Sequence, residues 1–212
     1  MESFNFQRFG RNDFEDEQPV RDRWWKIKPG EVVYDVGPAI GSYALPALAM
    51  GGRLVAFSGQ KDHAVQLFAN IAMNPGFKER AAIMPFGCYD QPGWIVLEPS
   101  GTRYRFQQDA PEPIGPEDMV VQRLDALSTL APRLTERIDW IKIDVEGAEE
   151  FVLRGAEQLI RRHRPKLLIE NHQFMDVRIE QSVIDFIRSL QLGYVVETMP
   201  WNSVSHSFFE VK

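Results

Sequence analysis

The chain has 212 residues, of which 44% are hydrophobic and 25% charged, and its formal net charge is −6. That length supports one domain with a full core, and the negative balance excludes general affinity for nucleic acid or an anionic membrane surface. No stretch reaches the roughly 18 apolar residues of a membrane span, the start lacks the apolar core of a secretory leader, and the single Cys88 excludes an internal disulfide, so a cytoplasmic protein is expected.

In chain order, residues 1–27 read as a polar N-terminal arm, mixed in charge and without periodicity, anchored at Trp24 and Trp25. The turn signal Lys28-Pro29-Gly30 opens the domain expected over 28–212. EVVYDV (31–36) is an apolar run of the kind buried on both faces of a parallel sheet. RLVAF (53–57) and ERAAIMPF (79–86) repeat that signal. Between them, HAVQLFANIAMN sets Ala64, Leu67, Phe68, Ile71 and Ala72 on one helical face, which predicts that all five are buried.

The segment at about 91–118 is rich in proline and glycine and reads as an inserted hairpin and loop. RIDWIKIDV (137–145) and PKLLIEN (165–171) are further strands. GAEEFVLRGAEQLIRRH between them predicts one helix with Ala148, Val152, Gly155 and Leu159 on its buried face. IEQSVIDFIRSLQLG predicts another, closed by Gly193 just past its end. YVVETM and FFEVK read as a closing strand pair around the turn Pro200-Trp201-Asn202-Ser203. Alternating strands and helices imply right-handed crossovers and a parallel sheet.

Such sheets bind ligands at the carboxyl ends of their strands, where the strand order reverses. Asp35-Val36-Gly37, followed after three residues by Gly41 and Ser42, ends the first strand. Gly37 permits a tight turn, and the helix that follows offers free N–H groups; an ordinary strand-to-helix turn would also read this way. A dinucleotide site would show GxGxxG and bring backbone against a pyrophosphate. Here an acid precedes the first glycine, which would repel phosphate and attract the ammonium of an amino-acid-bearing cofactor. S-adenosylmethionine fits that charge pattern and NAD does not.

The stretches VVYDVGPAIGSYALPALAMGGRLVAF, PFGCYDQPG, RLDAL and IDWIKIDVEGAEEFVLRGAEQLIRRHRPKLLIENH together resemble the FkbM-type family of S-adenosylmethionine-dependent methyltransferases, from about residue 28 to 195. The resemblance implies a Rossmann-like, doubly wound α/β fold of class I, with a seven-stranded, mostly parallel sheet and one antiparallel strand. It also implies methylation of hydroxyl oxygens on sugars or other small natural products. The cofactor residues would then be Asp35, Gly37, Gly41, Ser42, the second strand tip Ser58-Gly59-Gln60, Cys88 near the adenine, and Asp144.

Two departures from the family pattern stand out. Pro38-Ala39 replaces an Ala-Asn or Ala-His pair, and Phe57-Ser58-Gly59 replaces Phe-Glu-Pro, removing the carboxylate expected on the ribose diol. Neutral in place of charged hydrogen bonds costs about 1–2 kcal/mol, roughly five- to thirtyfold in affinity; Gln60 or Asp62 would offset part of it.

Asp144 closes the fourth family strand, and Glu170-Asn171-His172 close the fifth. Asp144, Glu170 and Asn171 are three hard oxygen donors suited to Mg²⁺ or Ca²⁺, similar to the magnesium set of catechol O-methyltransferase. The alternative is structural, with Asp144 capping the next helix and Glu170 paired to a lysine or arginine. His172 is the best-placed base for an acceptor hydroxyl, or else a hydrogen-bonded rim residue. Two rivals to an O-methyltransferase remain. One is a degenerate binding or assembly module, favoured by Ser58; the other is a nucleotide-dependent oxidoreductase, disfavoured by the missing GxGxxG.

Overall fold

The computed structural model describes residues 17–97, 104–111, 114–115, 117–172, 178–201 and 204–212. The chain enters through α1 (Gln18–Trp24), with Pro19 in the first turn, where its missing N–H has no partner to lose. β1 (Val32–Val36), α2 (Ala44–Ala49), β2 (Arg53–Phe57), α3 (Lys61–Ala72) and β3 (Ala81–Met84) then wind outward. Four short strands follow: β4 (Gly87–Cys88), β5 (Gly93–Leu97), β6 (Tyr104–Gln107) and β7 (Met119–Gln122). The chain returns through α4 (Leu127–Leu130), β8 (Trp140–Ile143), α5 (Glu149–Gly155), α6 (Glu157–His163), β9 (Lys166–Asn171), α7 (Ile179–Ser189), β10 (Tyr194–Trp201) and β11 (Val204–Val211).

The main sheet has seven strands in the order β10-β11-β9-β8-β1-β2-β3. β11 runs antiparallel to both neighbours, and the other strands are parallel, as expected for the doubly wound class I fold. The winding goes outward from β1 to β3, then restarts at β8 on the other side of β1. The crevice that a doubly wound sheet opens to ligands therefore lies over β1 and β8.

Alternation along the central strands feeds two cores. Tyr34, Val36, Ile141, Ile143, Leu167 and Ile169 point to one face and pack with Val152, Leu159, Val183 and Ile187 of α5, α6 and α7. Val33, Leu54, Trp140, Leu168 and Phe208 point to the other, under Trp24, Trp25, Leu45, Leu48 and Leu67. Each such side chain, fully buried, contributes about 1.5–3 kcal/mol. Trp24 stacks on Phe208 with centroids 5.7 Å apart, and Trp25 meets the edges of Tyr43 and Trp140 at 5.2 Å each. These contacts fasten the N-terminal segment to the sheet.

Several expectations need correction. Phe68 is 57% exposed, because the face of α3 that meets the sheet is carried by Leu67, Asn70 and Ile71; the Lys78 ammonium lies over its ring at 5.6 Å. The helix expected over 147–163 is two helices that break at Ala156. A Cβ on Gly155 would stand 2.1 Å from the Tyr89 carbonyl oxygen, so α5 ends hard against that backbone. Asp125, in the RLDAL stretch, accepts from the backbone N–H of Gln158 and Leu159 at 3.1 and 3.0 Å and so caps α6 from outside. At the end of α7 the left-handed residue next to the cap is Gln191, with Gly193 left-handed two positions later.

The 91–118 segment does contain a hairpin, β5 with β6, but it belongs to a four-stranded sheet β4-β7-β5-β6 that the sequence did not suggest. Pro200 and Trp201 pair with Ser205 and Val204 inside the β10–β11 ladder, and Asn202 and Ser203 lie outside the described residues.

Candidate active site

The turn after β1 is shaped by contact rather than by glycine preference alone. Gly37 has a φ of 78°, and a Cβ there would stand 1.8 Å from the Asp144 carbonyl oxygen. The end of β1 and the end of β8 are thus in backbone contact, and Gly37 is the residue that allows it. Asn70, buried in α3, donates from Nδ2 to the Ile40 carbonyl at 2.8 Å and pins the far side of the turn. Gly41 is buried with φ 111°, and Ser42 is half-buried beside it. Nothing in the sequence marks Asn70 as functional, since it sits among helix-forming residues.

Asp35 is not at the strand tip. It lies within β1, fully buried, paired in register with Ala56 and Lys142, and neither carboxylate oxygen has a hydrogen-bond partner among the described residues. Burial pushes its carboxyl up to about 6, against the pull of Lys142. Two acceptors left without a hydrogen bond at this depth are costly, and the Lys142 ammonium that pulls on them is bonded to Asp144 instead.

The tip of β2 is arranged differently from the family expectation. Ser58 is only 4% exposed, and its Oγ donates to the Gln60 carbonyl at 3.3 Å, so it faces inward. A Cβ on Gly59 would stand 2.6 Å from Met119 Sδ, which explains a glycine there. Gln60 is half-exposed at the head of α3 with its side chain making no capping bond. Cys88, expected near an adenine, is packed in the core with Leu124 and Ile143, and burial raises its thiol far above the ordinary range.

Across the crevice lies a dense charged rim. Lys142 is 2% exposed and puts Nζ 2.7 Å from Asp144 Oδ2 and 4.7 Å above the Tyr43 ring. Burial would lower it, but Asp144, Asp35, Glu17 and Glu170 outweigh burial and keep it charged. His172 packs Nδ1 against Glu149 Oε1 at 2.6 Å, while Nε2 faces Asp144 and Glu146 at 3.5 Å and Glu170 at 3.7 Å. Burial works to lower its pKa, yet the bond to Glu149 and the charges of Asp144, Glu149 and Glu146 raise it to about 9. An imidazolium has no lone pair for an acceptor's proton, so this raised pKa argues against the expected role of His172 as base.

Glu149, in the first turn of α5, is fully buried and holds His172 while accepting from the Gly147 N–H at 3.0 Å. Asp144 does not cap the next helix; its partner is Lys142.

Asn171 does not join Asp144 and Glu170. Consecutive strand residues face opposite ways, and its Nδ2 donates to the hydroxyls of Ser205 and Ser207 at 3.2 and 2.9 Å. The expected oxygen triad for Mg²⁺ or Ca²⁺ is therefore not assembled. Glu17, just ahead of α1, reaches the rim unannounced by the sequence. Burial pushes its carboxyl up to about 7, with Lys142 opposing and Glu170 and Asp144 adding to the rise.

The sequence matches the methyltransferase FkbM domain over residues 35–196. No curated protein matches the chain. Among solved structures, a methyltransferase FkbM from Methylobacillus flagellatus KT superposes with a TM-score of 0.68 at 18% identity, covering 92% of this chain and 47% of that one. The chain thus spans about half of that protein's length. A precorrin-6Y C5,15-methyltransferase from Geobacter metallireducens GS-15 gives 0.56 at 12% identity, covering 99% of this chain and 94% of that one. An rRNA methylase from Streptococcus thermophilus gives 0.52 at 13%, with 94% and 93% covered. At these identities the likeness is one of fold. The domain match, over most of the chain and across both the glycine turn and the rim, goes further: the chain belongs to the FkbM methyltransferase family.

Proposed function

We propose that the protein is an S-adenosylmethionine-dependent methyltransferase acting on a hydroxyl oxygen of a small molecule, a sugar or other natural product. The family implies the cofactor, and the residues present fit it. The crevice over β1 and β8 is lined by carboxylates, and the unmatched Asp35 pair lies directly behind the glycine turn, a charge pattern for a cationic sulfonium and ammonium rather than a pyrophosphate. Asp35 would set the local potential; Gly37 to Ser42 and the half-exposed Gln60 would line the site. Bound there, the cofactor supplies an electrophilic methyl group that passes to the acceptor oxygen and leaves a neutral thioether.

The observation that carries the reading is the contact of Gly37 with the Asp144 carbonyl. It sets the cofactor half and the acidic rim side by side, so an acceptor oxygen over Asp144 would be next to anything held on the turn. Holding the two partners in that orientation is the main source of rate. Asp144 Oδ2 is held by Lys142, and Oδ1 is left facing His172. Asp144 then accepts the hydrogen bond of the acceptor hydroxyl and takes its proton as the methyl arrives. The His172 imidazolium, fixed by Glu149, orients that carboxylate. A net charge of −6 and this acidic rim disfavour a nucleic-acid acceptor.

Calorimetry with S-adenosylhomocysteine, then transfer of a labelled methyl group from S-adenosylmethionine to a panel of sugars and phenols, tests the reading. Asp144→Asn should keep cofactor binding and lose roughly a hundred- to ten-thousandfold in transfer. A second reading, a binding module that has lost the cofactor, is favoured by the inward-facing Ser58; no heat with S-adenosylhomocysteine would select it.

A further inference from the structure

Three buried polar atoms near the rim lack a hydrogen-bond partner among the described residues and have no part in the methyl transfer outlined above. They are Glu17 Oε2, Glu170 Oε2 and His206 Nε2. His206 is 1% exposed in β11, and neither of its ring nitrogens has a hydrogen-bond partner among the described residues. It stands opposite Glu170 in the antiparallel ladder, which puts both side chains on the same face, with Nε2 3.5 Å from Glu170 Oε2. One donor atom from each of Glu17, Glu170 and His206 lies within 4.8 Å of the others.

From this geometry we infer that Glu17, Glu170 and His206 form a binding site for a divalent first-row metal ion, with Zn²⁺ the natural probe. A separation of 3.5 Å is long for a hydrogen bond, but two ligands each about 2.1 Å from a tetrahedral ion stand about 3.4 Å apart. Two carboxylates with one imidazole suit zinc or manganese better than magnesium or calcium, which prefer oxygen alone. Three protein ligands leave the fourth position open, as in zinc sites that bind water or substrate.

A second acid–histidine group, Asp144 with Glu146 and His172, also lies within reach of one ion. Two of its residues are already held through their other atoms, Asp144 Oδ2 by Lys142 and His172 Nδ1 by Glu149, whereas neither ring nitrogen of His206 has a hydrogen-bond partner among the described residues. The ligands come from three places: the segment before α1, β9 and β11. An ion there would clasp the N-terminal segment to the rim of the sheet beside the crevice.

The experiment is calorimetric titration of chelator-treated, dialysed protein with Zn²⁺, with the melting temperature recorded alongside. One ion per chain should bind in the micromolar range or tighter and raise the melting temperature. Glu170→Gln and His206→Gln should each weaken binding at least thirtyfold and remove the thermal shift, while Glu146→Gln should bind like wild type. Cobalt substitution should give a visible absorption band in wild type that His206→Gln shifts or loses. Absence of stoichiometric Zn²⁺ binding in wild type would overturn the inference. So would equal affinity in Glu170→Gln and His206→Gln, or loss of binding only in Glu146→Gln, which would move the ion to the neighbouring group. These readouts do not involve methyl transfer, so their failure is distinct from failure of the methyltransferase reading.

Discussion

Asp35→Asn exchanges a carboxylate for an amide of nearly the same shape inside β1, and the structure says what that exchange should do at each pH. Burial moves the carboxyl from 3.8 to about 6. That is about two units, each worth about 1.4 kcal/mol, so the ionised Asp35 costs the folded state about 3 kcal/mol. Because the folded pKa is the higher one, the native protein holds this proton more tightly than the unfolded chain. Its contribution is fully present below about pH 4 and is lost as pH rises through about 6.

Urea unfolding of wild type and Asp35→Asn at half-unit steps from pH 4 to pH 8 isolates this residue in the difference between the two curves. Wild type should lose about 2 kcal/mol more than the variant across pH 4 to 6.5. The amide brings two donors opposite Lys142, an unmatched pair worth about 1–3 kcal/mol, so the absolute stabilities at pH 7.5 should end close together. Calorimetry with S-adenosylhomocysteine at pH 7.5 should show at least tenfold weaker binding by the variant. Parallel pH curves, or unchanged affinity, would refute the account of Asp35 as a buried charge kept for the cofactor.

Gly37→Ala should cost well over 3 kcal/mol in urea unfolding or prevent folding, since the new methyl meets the Asp144 carbonyl 1.8 Å away in a left-handed turn. Asn70→Ala frees the Ile40 carbonyl and should weaken S-adenosylhomocysteine binding several-fold with a loss of about 1–3 kcal/mol in stability. Gln60→Glu, rather than Ser58→Glu, should tighten cofactor binding five- to thirtyfold, because Gln60 is half-exposed at a helix N-terminus while Ser58 points at a carbonyl; the order of the two affinities by calorimetry decides it.

The strands that carry the crevice were legible because parallel strands buried on both faces read as continuous apolar runs, as in EVVYDV and PKLLIEN. The resemblance placed the glycine turn and the rim on their ends. Asn171 was misplaced although period-two alternation alone would have set it apart from Glu170 and His172. Phe68 fell on the correct helical face by periodicity, but a moment does not say how wide a stripe the sheet covers. Glu17 and His206 left no trace, since one lies in a segment without periodicity and the other meets Glu170 only through ladder pairing with β9. The short strands β4 and β7 were hidden for a related reason: a two- to four-residue strand is defined by its partner, not by its own composition.

Tyr89 lies flat between Phe106 of the inserted hairpin and Phe151 of α5, with ring centroids 4.9 and 4.6 Å apart. This three-ring stack bolts the small sheet to the helix whose first residue, Glu149, holds His172. Anyone exchanging the insertion between family members to change the acceptor should therefore treat Tyr89, Phe106 and Phe151 as one part, carried over or left behind together. A graft cut between them would leave an aromatic face open to water and loosen the helix that carries the rim.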